Sequence, residues 1–145
     1  MLKRVLIVIT LLATIVLSPN LTANAEPLLN DDARSIQAAV RGQLHALAHD
    51  DAESAFALST PSIRSQMGSP ENFLRVIKEE YSPMYRHLIV IFSAPENLGD
   101  SIIQIVRLTD RESRVWMAIY SMQRDALGSW KIDGCQLLET DSVSI

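Results

Sequence analysis

Cysteine is nearly absent: Cys135 stands alone in 145 residues. One thiol cannot close an internal disulfide, so a stapled scaffold is excluded, and no Cys-x-x-Cys pair exists for zinc or thiol redox chemistry. Only 5 glycines and 6 prolines are present, which excludes a collagen-like repeat. None of the glycines builds a phosphate-cradling loop or a Gly-x-Ser-x-Gly nucleophile elbow. Positive charge is in deficit, with 13 basic against 17 acidic residues and a net charge of -4. That balance argues against a nucleic-acid binder. A composition 48% hydrophobic and 21% charged is too apolar for a disordered acidic tail. One compact domain remains, and no reaction is named.

The first stretch reads as a transport signal. Lys3 and Arg4 open it, Val5 to Leu17 carries no charge, and Pro19-Asn20 interrupts the run. Ala23 and Ala25 then place small side chains at the two positions a signal peptidase reads, with cleavage before Glu26. The apolar run is shorter than the roughly 20 residues a bilayer span needs, and no later stretch is long enough. No cysteine sits beside the cleavage site for a lipid anchor. The expectation is a signal peptide over 1–25 and one exported domain over 26–145, ordered over roughly 30–138. It is periplasmic if the source is Gram-negative. Removal of Lys3 and Arg4 leaves the mature chain more acidic still.

The mature chain reads as helices first and strands last. Asn30-Asp31-Asp32 offers cap residues ahead of Ile36, Val40, Leu44 and Leu47, which recur at helical spacing. Asp50 or Asp51 can cap a second helix carrying Ala52, Ala55, Phe56 and Leu58. Ser59-Thr60-Pro61 ends it, and Ser62 to Gly68 forms a short helical turn with Ile63 and Met67 inward. Ser69-Pro70-Glu71 is a start signal for a helix that buries Phe73, Leu74, Val76 and Ile77, stopped by Tyr81-Ser82-Pro83. Four strands follow, over His87–Phe92, Ile102–Leu108, Arg114–Gln123 and Ser129–Leu138, with a polar tail from Glu139.

This order predicts an α+β fold, with N-terminal helices on an antiparallel sheet of about four strands. The third strand carries Trp116, Ala118, Tyr120 and Met122 on one parity, and Val115, Met117 and Ile119 on the other. A sheet with one wet face alternates apolar with polar, so the second face here wants a cover. A homodimer through that face would supply it; so would helices or loops of the same chain curling round.

Several ordered pieces carry a resemblance. They are Gln43-Leu44-His45-Ala46, Asp50-Asp51, Pro61-Ser62-Ile63, Ser69 to Leu74, Tyr81 to Arg86, Trp116 to Met122 and Gly128 to Cys135. Together they resemble a bacterial family of small exported proteins known as domain of unknown function number 4864. The resemblance spans nearly the whole mature chain. It implies a relation to the nuclear-transport-factor-two-like fold, in which helices lie in the hollow of a curved sheet and form a cone. The family brings no catalytic residues. The superfamily includes isomerases, dehydratases and epoxide hydrolases beside non-catalytic binding modules, so fold alone does not choose.

Superfamily isomerases place a carboxylate on a strand deep in an apolar cavity, and Asp133 is the residue here that could serve as such a base. Tyr120 would be a hydroxyl donor and Trp116 a cavity wall. Asp133 shares its strand parity with Lys131, however, which suits an ordinary ion pair on a wet face. Tyr81, Tyr85, Trp116 and Tyr120 could line a ligand mouth, since amphipathic rings suit a half-wet pocket, although core packing is their commoner fate. His45 and His49 have metal-holding spacing, but Ala46 stands where the His-Glu-x-x-His pattern needs its glutamate. Zinc needs three or four converging ligands, so no metal or other cofactor is expected. Cys135 is a nucleophile only with a base beside it, and His87 is the one conceivable partner; burial is the ordinary fate of such a thiol. Arg107, Arg111, Arg114 and Arg124 are matched by Asp110, Glu112 and Asp125. The reading is a non-catalytic envelope module that binds a small apolar ligand or a protein. The alternatives are a small isomerase or lyase using Asp133, and a structural homodimer in an envelope assembly.

Overall fold

A computed structural model describes residues 26–140. The signal expected over 1–25 lies outside the described residues, as does 141–145. Helix α1 (Asn30–Ala48) buries its stripe of Ile36, Val40, Leu44 and Leu47 almost completely. Short helices α2 (Ala52–Ala57) and α3 (Pro61–Met67) follow, then α4 (Pro70–Glu80) and the single turn α5 (Ser82–Tyr85). Asp51 caps α2 by accepting from the Ser54 N–H, and Thr60 and Ser69 cap α3 and α4 in the same way. Asp50 plays a different part. It takes a left-handed backbone (φ 56°) and pairs with Lys78 at 2.7 Å, locking the α1–α2 corner onto α4.

The start of α1 differs from expectation. Leu29 occupies the cap position, with no side-chain bond, so Asn30, Asp31 and Asp32 lie inside the first turn. There the two acids favour the positive helix end. Asp32 also receives the Arg124 guanidinium and the Trp130 indole (3.3 Å), which ties the helix to the far end of the sheet. The chain also fits in α5, where the sequence suggests only a stop. Its Pro83 and Met84 are buried.

The strands are β1 (Glu26–Pro27), β2 (His87–Phe92), β3 (Glu96–Asn97), β4 (Ile102–Asp110), β5 (Val115–Arg124) and β6 (Trp130–Thr140). The four long ones match those expected; β1 and β3 are additional two-residue pieces. All named pairings are antiparallel, in the order β1-β3-β4-β5-β6, with β2 also on β4. Strands β2 and β3 share one edge of β4 end to end. Pro95 interrupts them because it has no N–H to donate to a ladder. The Ser93 carbonyl at this break accepts from Gln104 (2.8 Å) and from Gln37 of α1 (3.1 Å) instead.

The helices cover one sheet face. Val106, Leu108, Ala118, Tyr120, Met122, Trp130 and Ile132 meet the α1 stripe there in one core. The opposite face carries Ile103, Ile105, Val115, Met117 and Ile119, all half-buried, beside Ile89 (52% exposed), Ile91 (47%) and Leu138 (51%). Among the described residues no helix is laid over it. Both faces of the central strands are therefore apolar, and one is left open.

Candidate functional site

The inner face is where chemistry-bearing groups gather. Gln43 sits within the core-facing stripe of α1 and is 2% exposed. A buried amide must be bonded, and its nitrogen donates to the Ala55 carbonyl (3.2 Å) and the Ser59 hydroxyl (3.4 Å). Ser59 lies where the α2–α3 link runs beside β6. The Thr60 N–H donates to the Ile132 carbonyl (2.9 Å), and the Ile132 N–H donates to the Leu58 carbonyl (2.8 Å).

Strand β6 bulges at this point. Ser121 faces Gly134 and Met122 faces Ile132, so Asp133 is the extra residue. The bulge keeps Trp130 and Ile132 inward, and Cys135 still sits opposite Tyr120. Beyond it lies a cavity of about 200 Å³ between the helices and β6. Ile63, Met67, Phe73, Ile77, Met84 and the Cys135 sulfur form its apolar wall, with Tyr81, Gln43, Gln66 and Ser59 as its polar groups. That volume is under the roughly 300–1,000 Å³ typical of drug-sized ligands. A dry cavity of roughly 150 Å³ already accepts benzene, so a small ring or short chain is the right scale. Tyr81 and Cys135 also border a shallower groove of about 420 Å³ beside Trp116.

Burial pushes the Cys135 thiol up to about 12, only partly offset by the main-chain N–H of Ile119. The thiolate is the reactive form, so at neutral pH this sulfur is an apolar wall atom. His87 lies elsewhere, in a groove with His45 and His49, and is not brought to Cys135. Beside the thiol, Tyr120 is completely buried and its hydroxyl finds no partner among the described residues. Burial, with Cys135 adding to it, holds that phenol well above its ordinary value.

The five candidate residues are not gathered in one place. Tyr81 lines the cavity, Trp116 the neighbouring groove, and Tyr120 packs beside Cys135. Tyr85 is absent from the cavity lining, and its hydroxyl donates to Asp50 (2.8 Å). The Trp116 indole donates to Asp110 (2.9 Å). Asp133 is occupied on both oxygens, by the Thr60 hydroxyl (2.7 Å) and the Gln123 amide (3.1 Å). It is absent from the cavity lining. Its neighbour Lys131 donates to the Ala57 carbonyl (3.1 Å) rather than to Asp133. Sequence reasoning passed over Gln43 and Ser59. The available signal was a glutamine at the helical spacing of Ile36, Val40 and Leu47.

Among the described residues no group of three His, Cys, Asp or Glu side chains is placed to hold a metal ion. No helix among them is long and apolar enough to cross a membrane. No curated protein and no solved structure matches the chain. A family match does exist, and it covers the helices, the sheet and the cavity together: over residues 29–145 the chain belongs to the family described as Domain of unknown function (DUF4864).

Proposed function

We propose that this protein is a non-catalytic binding module of the cell envelope, which holds a small, mostly apolar molecule between its helices and its sheet. The observation that carries this reading is the cavity beside β6, whose walls are apolar and whose polar groups are few and neutral. Gln43 and Ser59 are bonded to one another, so they offer a ligand orientation rather than proton transfer. Cys135 is held as a thiol. The carboxylate an isomerase would need, Asp133, is bound to Thr60 and Gln123 instead. The leader pattern from Lys3 to Ala25 supports export, and the helix-then-sheet order supports a cone of the nuclear-transport-factor-two-like kind.

Native mass spectrometry of chain 26–145, purified from the exported fraction without denaturation, tests the reading. The expected result is an extra mass of small-molecule size that leaves on denaturation. It should be missing in a Met67→Trp variant, in which the indole fills the cavity. A bare mass, together with no shift of cavity residues on titration with small aromatic or short-chain probes, overturns it.

A second reading rests on a separate observation, the open apolar sheet face around Ile105, Met117 and Ile119. Large exposed apolar patches mark interaction sites, and a second copy of this chain is the proposed cover.

A further inference from the structure

A second recess lies between α1 and β2, and its lining, unlike that of the neutral cavity beside β6, includes a guanidinium. Its volume is about 450 Å³, within the usual range for organic ligands. Arg41 and His45 reach it from α1, His49 from the cap that ends α1 and His87 from β2, and no acidic side chain lines it. In a chain of net charge -4 that lining is against the average. Arg41, like Arg64, Arg86, Arg107 and Arg111, meets no carboxylate within ion-pair distance among the described residues, whereas Arg34, Arg75, Arg114 and Arg124 each do. Its guanidinium instead stacks over the Phe92 ring, 4.6 Å from the centroid, which orients the planar fork and leaves its edge for a ligand.

The histidine rings are fixed as well. His49 commits Nδ1 to the His45 carbonyl at 2.8 Å, and His87 commits Nδ1 to the Met84 carbonyl at 2.9 Å. Each ring therefore has Nε2 as its remaining polar atom. The rings of His45 and His49 stack at 4.2 Å, one turn apart on the helix. Leu44, Val90 and Phe92 supply an apolar wall. A metal ion does not suit this set, because no three ligating side chains converge and a guanidinium shares the recess.

We propose that this recess binds a small organic carboxylate, with its charged end on Arg41 and its apolar body on Phe92, Val90 and Leu44. Arginine forms paired, charge-assisted hydrogen bonds with a carboxylate, while the Nε2 atoms of His49 and His87, whose Nδ1–H groups donate to main-chain carbonyls, are left in the neutral ring to accept from a hydroxyl or N–H elsewhere on the ligand. The apolar wall selects a carboxylate that carries hydrocarbon over a bare inorganic anion. This site is separate from the cavity beside β6 and stands or falls independently of it.

Amide chemical-shift titration of the folded 26–145 chain tests the proposal, with hexanoate and phenylacetate as probes and inorganic phosphate and zinc ion as comparisons. Saturable shifts confined to residues 41–49 and 87–92 are expected with both carboxylates. Arg41→Gln should weaken them at least tenfold, in line with one hydrogen bond to a charged group. Arg41 is exposed and its guanidinium touches the fold only at the Phe92 ring, so far-UV circular dichroism should be unchanged in that variant. Phe92→Leu should weaken phenylacetate more than hexanoate. The proposal is overturned if phosphate binds as tightly as the carboxylates, if zinc binds these residues in their place, or if shifts fall on Ile63, Met67 and Gly134. It is equally overturned if no residue of the recess responds at 10 mM probe, roughly the weak end of specific binding.

Discussion

Asp110 concentrates more bonds than any other carboxylate among the described residues. It is 2% exposed and accepts from the main-chain N–H groups of Glu112 and Arg114, the Arg114 guanidinium and the Trp116 indole, at 2.9–3.0 Å. Burial alone would raise its pKa. The Trp116 and Arg114 bonds, with the positive charge of Arg114, overcome that and hold it below its ordinary 3.8. The sign of the pH effect follows. A depressed carboxylate contributes stability in full above the unfolded value, and the contribution is lost as pH falls through the lower folded value. Asp110→Asn should therefore cost roughly 2–3 kcal/mol in urea unfolding at neutral pH, the scale of lost bonds to a charged group. The gap between variant and parent should close as pH falls from the ordinary 3.8 through the lowered value of the folded carboxyl. An equal gap at neutral and acid pH would show that the side-chain shape matters and the charge does not. Asp110 reads in the sequence only as a turn residue that offsets nearby arginines. Its burial follows from the β4–β5 pairing, which no local pattern encodes.

Among the elements, those with period were legible and those set by partners were not. The α1 stripe and the four long strands follow from spacing and branched side chains. The start of α1 does not, because Asp32 is drawn to Arg124 and Trp130 some ninety residues away and the helix begins ahead of its apparent caps. The bulge in β6 is equally silent, since a bulge is a mismatch between two strands and exists in neither alone. It is held from outside the sheet. Thr60 donates to Asp133 and, through the same oxygen, accepts from the Ile63 N–H at the start of α3. Thr60→Val removes both bonds and should destabilise by about 2–3 kcal/mol, while Thr60→Ser should recover most of the loss. Chemical denaturation of the three proteins measures it, and a neutral Thr60→Val would show that this clamp contributes no stability. The cavity itself was only half visible: Tyr81 and Cys135 drew notice as aromatic and thiol, but Gln43 and Ser59 became partners only when α1 and the α2–α3 link were packed together.

The whole molecule has two unlike sides. One sheet face is sealed by five helices; the other presents isoleucine, valine and methionine with Arg107 exposed among them. Stable interfaces bury about 800 Å² per partner and are apolar at their centre, which this face matches in character. A dimer through it should show in sedimentation at micromolar concentration. Met117→Asp, at the middle of the face and opposite Arg107 and Leu138, should give a folded monomer. A parent chain that sediments as a monomer at every concentration would leave the face to a different protein. The inner cavity should hold its ligand in either case, because the two faces share strands but no side chains.

The extra residue in β6 also sets where this chain can tolerate insertion and deletion. Side chains in a strand alternate between faces, and Ile132 and Cys135, both inward, stand an odd step apart that only the extra residue absorbs. Loss of Asp133 would make that step even and keep Trp130, Ile132, Cys135 and Leu137 on the inner face, at the cost of the Thr60 bond. The hairpin at Asp125–Ser129, where Gly128 supplies the left-handed turn (φ 84°), carries no such constraint, since both flanking strands end there. Changes in chain length within the sheet's last hairpin should therefore collect at its tip or at Asp133 itself and spare the regular steps on either side of the bulge, whatever molecule the cavity holds.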